Sequence, residues 1–181
     1  MNLAVTAVNI AVFIILSILG DTEDVGFMLH HGASYAPLVM EGEWYRLFTS
    51  MWLHFGVMHL LYNLVCLLAM GDMLERMLGA VKYLLIYLGG GIAGNLLSFF
   101  REQTTGRYAV AAGASGAICA VIGACLAVML RHKNSRNQNM IKRLMLMAVL
   151  MVAEGFTQSG IDNAAHIGGM AAGFLMGLVL N

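Results

Sequence analysis

The chain has 181 residues, 60% hydrophobic and 11% charged, where soluble globular domains run near 45–50% and about 25%. Ten Lys+Arg balance ten Asp+Glu, with one proline and three cysteines. These proportions exclude a disordered chain, a disulfide scaffold and a basic nucleic-acid binder, and they predict one compact multi-span membrane domain.

Charge-free stretches predict the spans. Residues 1–20 form the first. They lack a basic n-region and a small-x-small exit, so they read as a retained helix rather than a cleaved signal. A long first loop, 21–50, follows. Span 2 is expected over 47–71, span 3 over 83–100 and span 4 over 108–130. A fifth is weaker: 144–153 is apolar until Glu154 interrupts, which predicts a short helix or one with a wet outer end. Residues 163–181 form the sixth.

Six spans put Arg76, Lys82, Arg131, Lys133, Arg136, Lys142 and Arg143 on the side of the N-terminus, and eight of the ten acids on the other. The positive-inside rule then places both termini in the cytoplasm of a cell-membrane protein, with loop 21–50 outside. Cys66, Cys119 and Cys125 lie in apolar runs and build no disulfide framework.

Polar side chains in hydrocarbon are costly, so their placement points to function. Span 2 carries His54, His59 and Asn63; span 4 opens with Gly113-Ala114-Ser115-Gly116; span 6 opens with Asn163 and carries His166. Ser115 lies about 24 Å of helix from Arg131, His166 about 22 Å from the C-terminus, and His59 about 18–25 Å from the exit at 71–76. All three therefore fall at one level in the outer half of a core roughly 30 Å thick. The spans are otherwise expected to hold polar groups mainly at that level.

A serine starting a helix sits beside unpartnered N–H groups that favour negative charge, so an oxyanion formed there would meet donors. The plain alternative is an N-cap serine. The small-residue rows Ala165, Gly169, Gly173, Gly177 and Gly116, Ala120, Ala124 allow spans 4 and 6 to approach closely. That would bring His166 to Ser115 as a general base; the alternative for His166 is packing glue. His59 and Asn63, four apart, share a face and are candidate oxyanion donors. His54, about 140° round the helix from His59, reads as structural. Asp162 reads as a cap, with orientation of His166 as the alternative. The His pair lacks metal-ligand spacing and carries no nearby carboxylate, so neither a metal nor a cofactor is expected. The chemistry these residues suggest is a Ser–His dyad.

The sequence resembles the rhomboid intramembrane serine proteases. The resemblance is carried by Trp44-Tyr45-Arg46, His54-x4-His59-x3-Asn63, Glu75-x3-Gly79, Gly113-Ala114-Ser115-Gly116 and Ala165-His166-x2-Gly169-x3-Gly173, in family order over roughly 40–180. It implies an all-α, six-helix membrane bundle with a short central helix starting at Ser115, and a single domain over 1–181. It implies Ser115 as nucleophile, His166 as general base and then acid, and an oxyanion hole from His59, Asn63 and the Ser115 N–H. Arg46 would stabilise the first loop, and Glu75 would bond near the inner helix ends. Substrates would be single-span membrane proteins, cut in or near the transmembrane helix and admitted beside span 5 and loop 154–162. The alternative is a weak or inactive relative that binds transmembrane helices. Some members carry an aromatic residue four after the serine; here that position is Cys119.

Overall fold

Inside a bilayer every backbone N–H and C=O must find a partner within the chain, which drives an apolar sequence to helix. The computed structural model describes residues 1–132, 138–157 and 161–181. Among these, no strand forms, and the one β-bridge is antiparallel, between Ser34 and Ala111. Helix α1 spans Asn2–Leu19. The first loop holds α2 (Val25–His30), α3 (Ala36–Met40), α4 (Arg46–Thr49) and a 3-10 turn, Ser50–Trp52. Helix α5 (Gly56–Cys66) runs through a π-helical turn, Leu67–Gly71, into α6 (Asp72–Leu78). Then come α7 (Ala80–Thr105), α8 (Ser115–Arg131), α9 (Gln138–Thr157) and α10 (Asn163–Leu180). Asn2–Leu19, Gly56–Leu78, Ala80–Thr105 and Asn163–Leu180 are long and apolar enough to cross a membrane; α8 is a shorter apolar helix. The expected all-helical membrane bundle is what forms.

Several boundaries differ from expectation. The second rod starts at Gly56 rather than 47 and runs on to Leu78. Residues 47–55 are apolar, but α4, the 3-10 turn and an extended Leu53 use them within the first loop. The fourth charge-free stretch, 108–130, is only partly helix, since 108–114 is a non-helical segment; the helix itself starts at Ser115, as expected of the central helix. The fifth is not short: α9 has 20 residues. Lys133, Arg136, residues 158–160 and the Glu154 side chain lie outside the described residues.

The core is α8 between α7 and α10. Every α8 residue from Gly116 to Val128 is buried. A β-carbon on Gly169 would run into the Gly116 carbonyl, and one on Gly173 into the Ala120 carbonyl. A β-carbon on Gly94 of α7 would come within 2.5 Å of the Ala165 carbonyl oxygen. Such backbone approach is open only to glycine and makes dispersion, not hydrophobicity, the source of cohesion in lipid.

Polar groups are not confined to one level. Asn2, Thr6 and Asn9 form a buried row on α1. The Tyr83 hydroxyl donates to Asn2 Oδ1 at 2.8 Å, and Asn9 Nδ2 donates to the Tyr87 hydroxyl at 3.4 Å. The spacing of three and four that puts these residues on one helix face was readable in the sequence. At the same end of the bundle Glu75 accepts from the Met1 amine at 2.6 Å and from the Asn2 N–H at 2.7 Å.

Candidate active site

The site begins with the segment that leads into α8. Ser34 and Ala111 exchange backbone hydrogen bonds of 2.8 and 2.9 Å, and Gly113 N–H donates to the Ser50 carbonyl at 2.9 Å. Glu102 of α7 accepts from Ala109 N–H at 3.0 Å. The chain then turns at Gly113, whose φ of +145° disfavours any side chain. A β-carbon there would sit 2.9 Å from His59 Cε1, 3.0 Å from His59 Nε2 and 3.7 Å from Ser115 Oγ. The missing side chain therefore makes room where the His59 ring and the Ser115 hydroxyl converge.

Ser115 opens α8. Its predecessor Ala114 provides no side-chain cap. The Ala114 carbonyl already accepts from Ile118 N–H at 2.9 Å. The N–H groups of Ser115, Gly116 and Ala117 consequently have no carbonyl partner one turn back, and they point outward at the positive end of the helix dipole. Ser115 itself is half-buried, while Cys119, one turn deeper, is fully buried.

From the other side α10 presents His166. Asp162 caps this helix: its Oδ1 accepts from Ala164 and Ala165 N–H, both at 3.1 Å. His166 follows one turn in and is buried. Its Nε2 lies 2.8 Å from Ser115 Oγ.

Asn63 lies one turn below His59 on α5, buried, with Nδ2 donating to the His59 carbonyl at 2.8 Å. That bond uses one amide hydrogen and leaves the second. His54 precedes α5 rather than riding on it, so the helical-wheel angle does not apply. Its ring stands edge-on to His59, centroids 5.3 Å apart, and Ala114 N–H approaches its Nε2 at 3.5 Å.

The polar row on α7 was not anticipated. Asn95, Ser98 and Glu102 are spaced three and four apart and so share a face. Asn95 Nδ2 donates to the Leu47 carbonyl at 2.7 Å and to Ser50 Oγ at 3.0 Å. The Ser98 hydroxyl donates to Asp162 Oδ2, and Glu102 holds Ala109. One helix thus fixes the first loop, the start of α10 and the approach to α8. Asn95 and Ser98, polar residues inside the charge-free run 83–100, were the available signal.

The first loop is braced by Arg46, which is buried. It donates to the Leu29 carbonyl at 2.7 Å, the Ala33 carbonyl at 2.8 Å and Glu43 at 2.6 Å. Hydrogen bonds from Tyr45 and then Arg46 hold the Glu43 carboxyl below the usual range.

A family model described as Rhomboid domain matches residues 41–181. The protein of Bacillus subtilis (strain 168) named rhomboid protease GluP is 36% identical over 174 residues, 96% of this chain and 33% of that protein. RHOMBOID-like protein 7 of Arabidopsis thaliana is 37% identical over 149 residues, 81% of this chain and 46% of its own length. Rhomboid-like protease 1 of Toxoplasma gondii is 33% identical over 186 residues, 94% of this chain and 60% of that protein. The chain thus spans about a third to three-fifths of the length of these relatives.

Proposed function

The chain belongs to the rhomboid family of multi-pass membrane proteins, and on that footing we propose that it is an intramembrane serine endopeptidase working through a Ser115–His166 dyad. The observation that carries the reading is the 2.8 Å approach of His166 Nε2 to Ser115 Oγ at the open start of α8. A serine hydroxyl is a weak nucleophile unless a base takes its proton as it attacks. His166 takes that proton while Ser115 Oγ bonds to the scissile carbonyl carbon. The carbonyl oxygen becomes an oxyanion, met by the Ser115 N–H, His59 and the free Asn63 amide hydrogen. His166 then gives its proton to the departing amine, leaving an acyl-enzyme. A water, deprotonated by His166, releases the acid product by the same steps in reverse.

Substrates are single-span membrane proteins, cut in or near the helix. Their route runs beside α9. Ile141, Leu144 and Ala148 are its buried side, while Leu146, Val149, Leu150 and Phe156 are exposed. Beyond Ala148 none of the described α9 side chains is buried, so that end of the helix offers an apolar face for the route. Both termini lie in the cytoplasm and the Ser115 level opens to the other side, a placement supported by the basic residues of 72–82 and 131–143.

The test is fluorophosphonate labelling of the purified chain, with cleavage of a membrane-anchored reporter measured in proteoliposomes. Wild-type protein is expected to be labelled and to cleave. Ser115→Ala and His166→Ala are expected to fold but to lose both activities by about 10⁴-fold or more. Absence of a Ser115-dependent adduct together with absence of cleavage overturns the reading.

A further inference from the structure

The dyad requires α10 to be held at one rotation and height, yet the face by which it packs is nearly featureless. Gly168, Gly169, Gly173 and Gly177 meet backbone or β-carbons of α7 and α8. Glycine–backbone contacts bring the helices close, and the side chains packed beside them, Met170, Phe174 and Met176, are apolar and make no directional bond. A rotation of ~10° carries a ring nitrogen about 6 Å from the helix axis through about 1 Å. An error of that size is enough to cost about 10²-fold in rate.

Directional contacts must set the register. At the inner end Arg131 donates to the Leu178 carbonyl at 2.8 Å, but that anchor lies about 18 Å of helix beyond His166. At the outer end the anchor is one turn away. Ser98, buried on α7, donates its hydroxyl to Asp162 Oδ2, while Asp162 Oδ1 accepts the Ala164 and Ala165 N–H groups. The Asp162 carbonyl accepts the His166 N–H at 3.1 Å. One residue therefore joins α7 to the turn of backbone that carries the imidazole.

We propose that Ser98 and Asp162 form a positioning pair that fixes the rotation of α10 and so places His166 Nε2 on Ser115 Oγ. Neither residue touches the substrate; both act through His166. The inference rests on the protease reading for its kinetic consequence, but not for its structural one. Ser98→Ala removes one hydroxyl and leaves the cap. Asp162→Asn keeps an acceptor for Ala164 and Ala165 and removes the charge that Ser98 addresses.

The experiment uses the full chain in proteoliposomes. It measures kcat and KM separately on a membrane-anchored reporter, and the ¹⁵N resonance of the His166 ring by solid-state NMR. Ser98→Ala is expected to lower kcat by about 10- to 100-fold with KM within about twofold, and to move the Nε2 resonance away from its serine-bonded position. Ser98→Thr, which restores the hydroxyl, is expected to recover kcat to within about threefold. Ser98→Ala combined with Asp162→Asn is expected to be no worse than the poorer single variant, as partners in one bond must be. A Ser98→Ala protein with unchanged kcat and an unmoved resonance overturns the pairing, as does a double variant whose losses multiply. Wild-type protein that neither labels nor cleaves refutes the protease reading instead, and the resonance still decides the positioning claim.

Discussion

Helices α8 and α10 begin side by side, and they treat their first turns in opposite ways. Every helix start presents N–H groups without carbonyl partners and a partial positive charge. At α10 the Asp162 carboxylate takes two of those groups, and a bond from Ser98 ties it down. At α8 the preceding residue is Ala114, and no side chain caps the turn. One start is neutralised and fixed; the other is left with donors for a charge that arrives only during reaction. A base needs a stable position, whereas an oxyanion needs unsatisfied donors. The two starts differ as those two roles differ.

The comparison breaks most severely if α8 is given the negative charge that α10 has. Ala114→Asp is expected to lower kcat/KM by about 10³-fold, since a fixed carboxylate occupies the field meant for the oxyanion. Ala114→Asn, of similar size and neutral, is expected to retain at least about tenfold more activity than Ala114→Asp. Equal losses in the two would mean that bulk at a buried position, not charge, is responsible; fluorophosphonate labelling rates report on both.

Next in size is the turn that delivers Ser115. Gly113→Ala places a β-carbon at a φ of +145° and 2.9 Å from His59 Cε1. Strain of about 1–3 kcal/mol follows, and His59 must move. A fall in kcat of about 10- to 100-fold is expected, together with a lowered thermal midpoint, because moving His59 relieves the contact but not the backbone strain at a φ of +145°. Smaller again is loss of the α10 cap. Asp162→Ala is expected to cost about 1 kcal/mol of stability, within a range of about 0.5–2, read as a lowered midpoint in detergent.

How much of this was legible depended on whether the partner of each residue was regular. The glycine and alanine rows of α8 and α10 repeat every four residues, so their pairing could be read before any coordinates. The distance from Ser115 to Arg131 gave the depth of Ser115, and the Gly113-Ala114-Ser115-Gly116 motif pointed to the helix start there. The α7 row Asn95, Ser98 and Glu102 has the same helical spacing, yet its partners are a first-loop carbonyl, a helix cap and a non-helical segment, which no period announces. The second rod was placed nine residues early because 47–55 is apolar enough for a span. Hydropathy does not distinguish a span from a buried loop whose backbone is satisfied by short helices. His54 was misplaced on the helix for the same reason. The α1 row of Asn2, Thr6 and Asn9 has helical spacing too, but its partners Tyr83 and Tyr87 lie on another helix, which no period announces.

The smallest effect concerns how α8 is held from outside. The start of α10 carries its own carboxylate, whereas the approach to α8 is fixed by the first loop through the Ser34–Ala111 bridge and the Gly113–Ser50 bond. That loop is braced by Arg46, and Arg46 is paired with Glu43 at 2.6 Å. Because Tyr45 and Arg46 hold the folded Glu43 carboxyl below its ordinary range, folding is favoured by the ionised form. The contribution is fully present above the unfolded carboxylate range and is lost as pH falls through the lowered folded value. The Glu43 side chain is about one-third open to solvent, so solvent screens the pair and the effect is modest. Thermal midpoints of wild type and Glu43→Gln are expected to differ at neutral pH and to converge as the pH drops through the acidic range. Asp162→Ala is expected to keep its lowered midpoint relative to wild type at neutral pH whether or not Glu43 is present, since the α10 cap does not draw on the loop. The absence of any gap between wild type and Glu43→Gln at neutral pH would show that Arg46 holds the loop through its carbonyl bonds to Leu29 and Ala33 alone. The α8 start would then be insulated from surface charge as fully as the α10 start is.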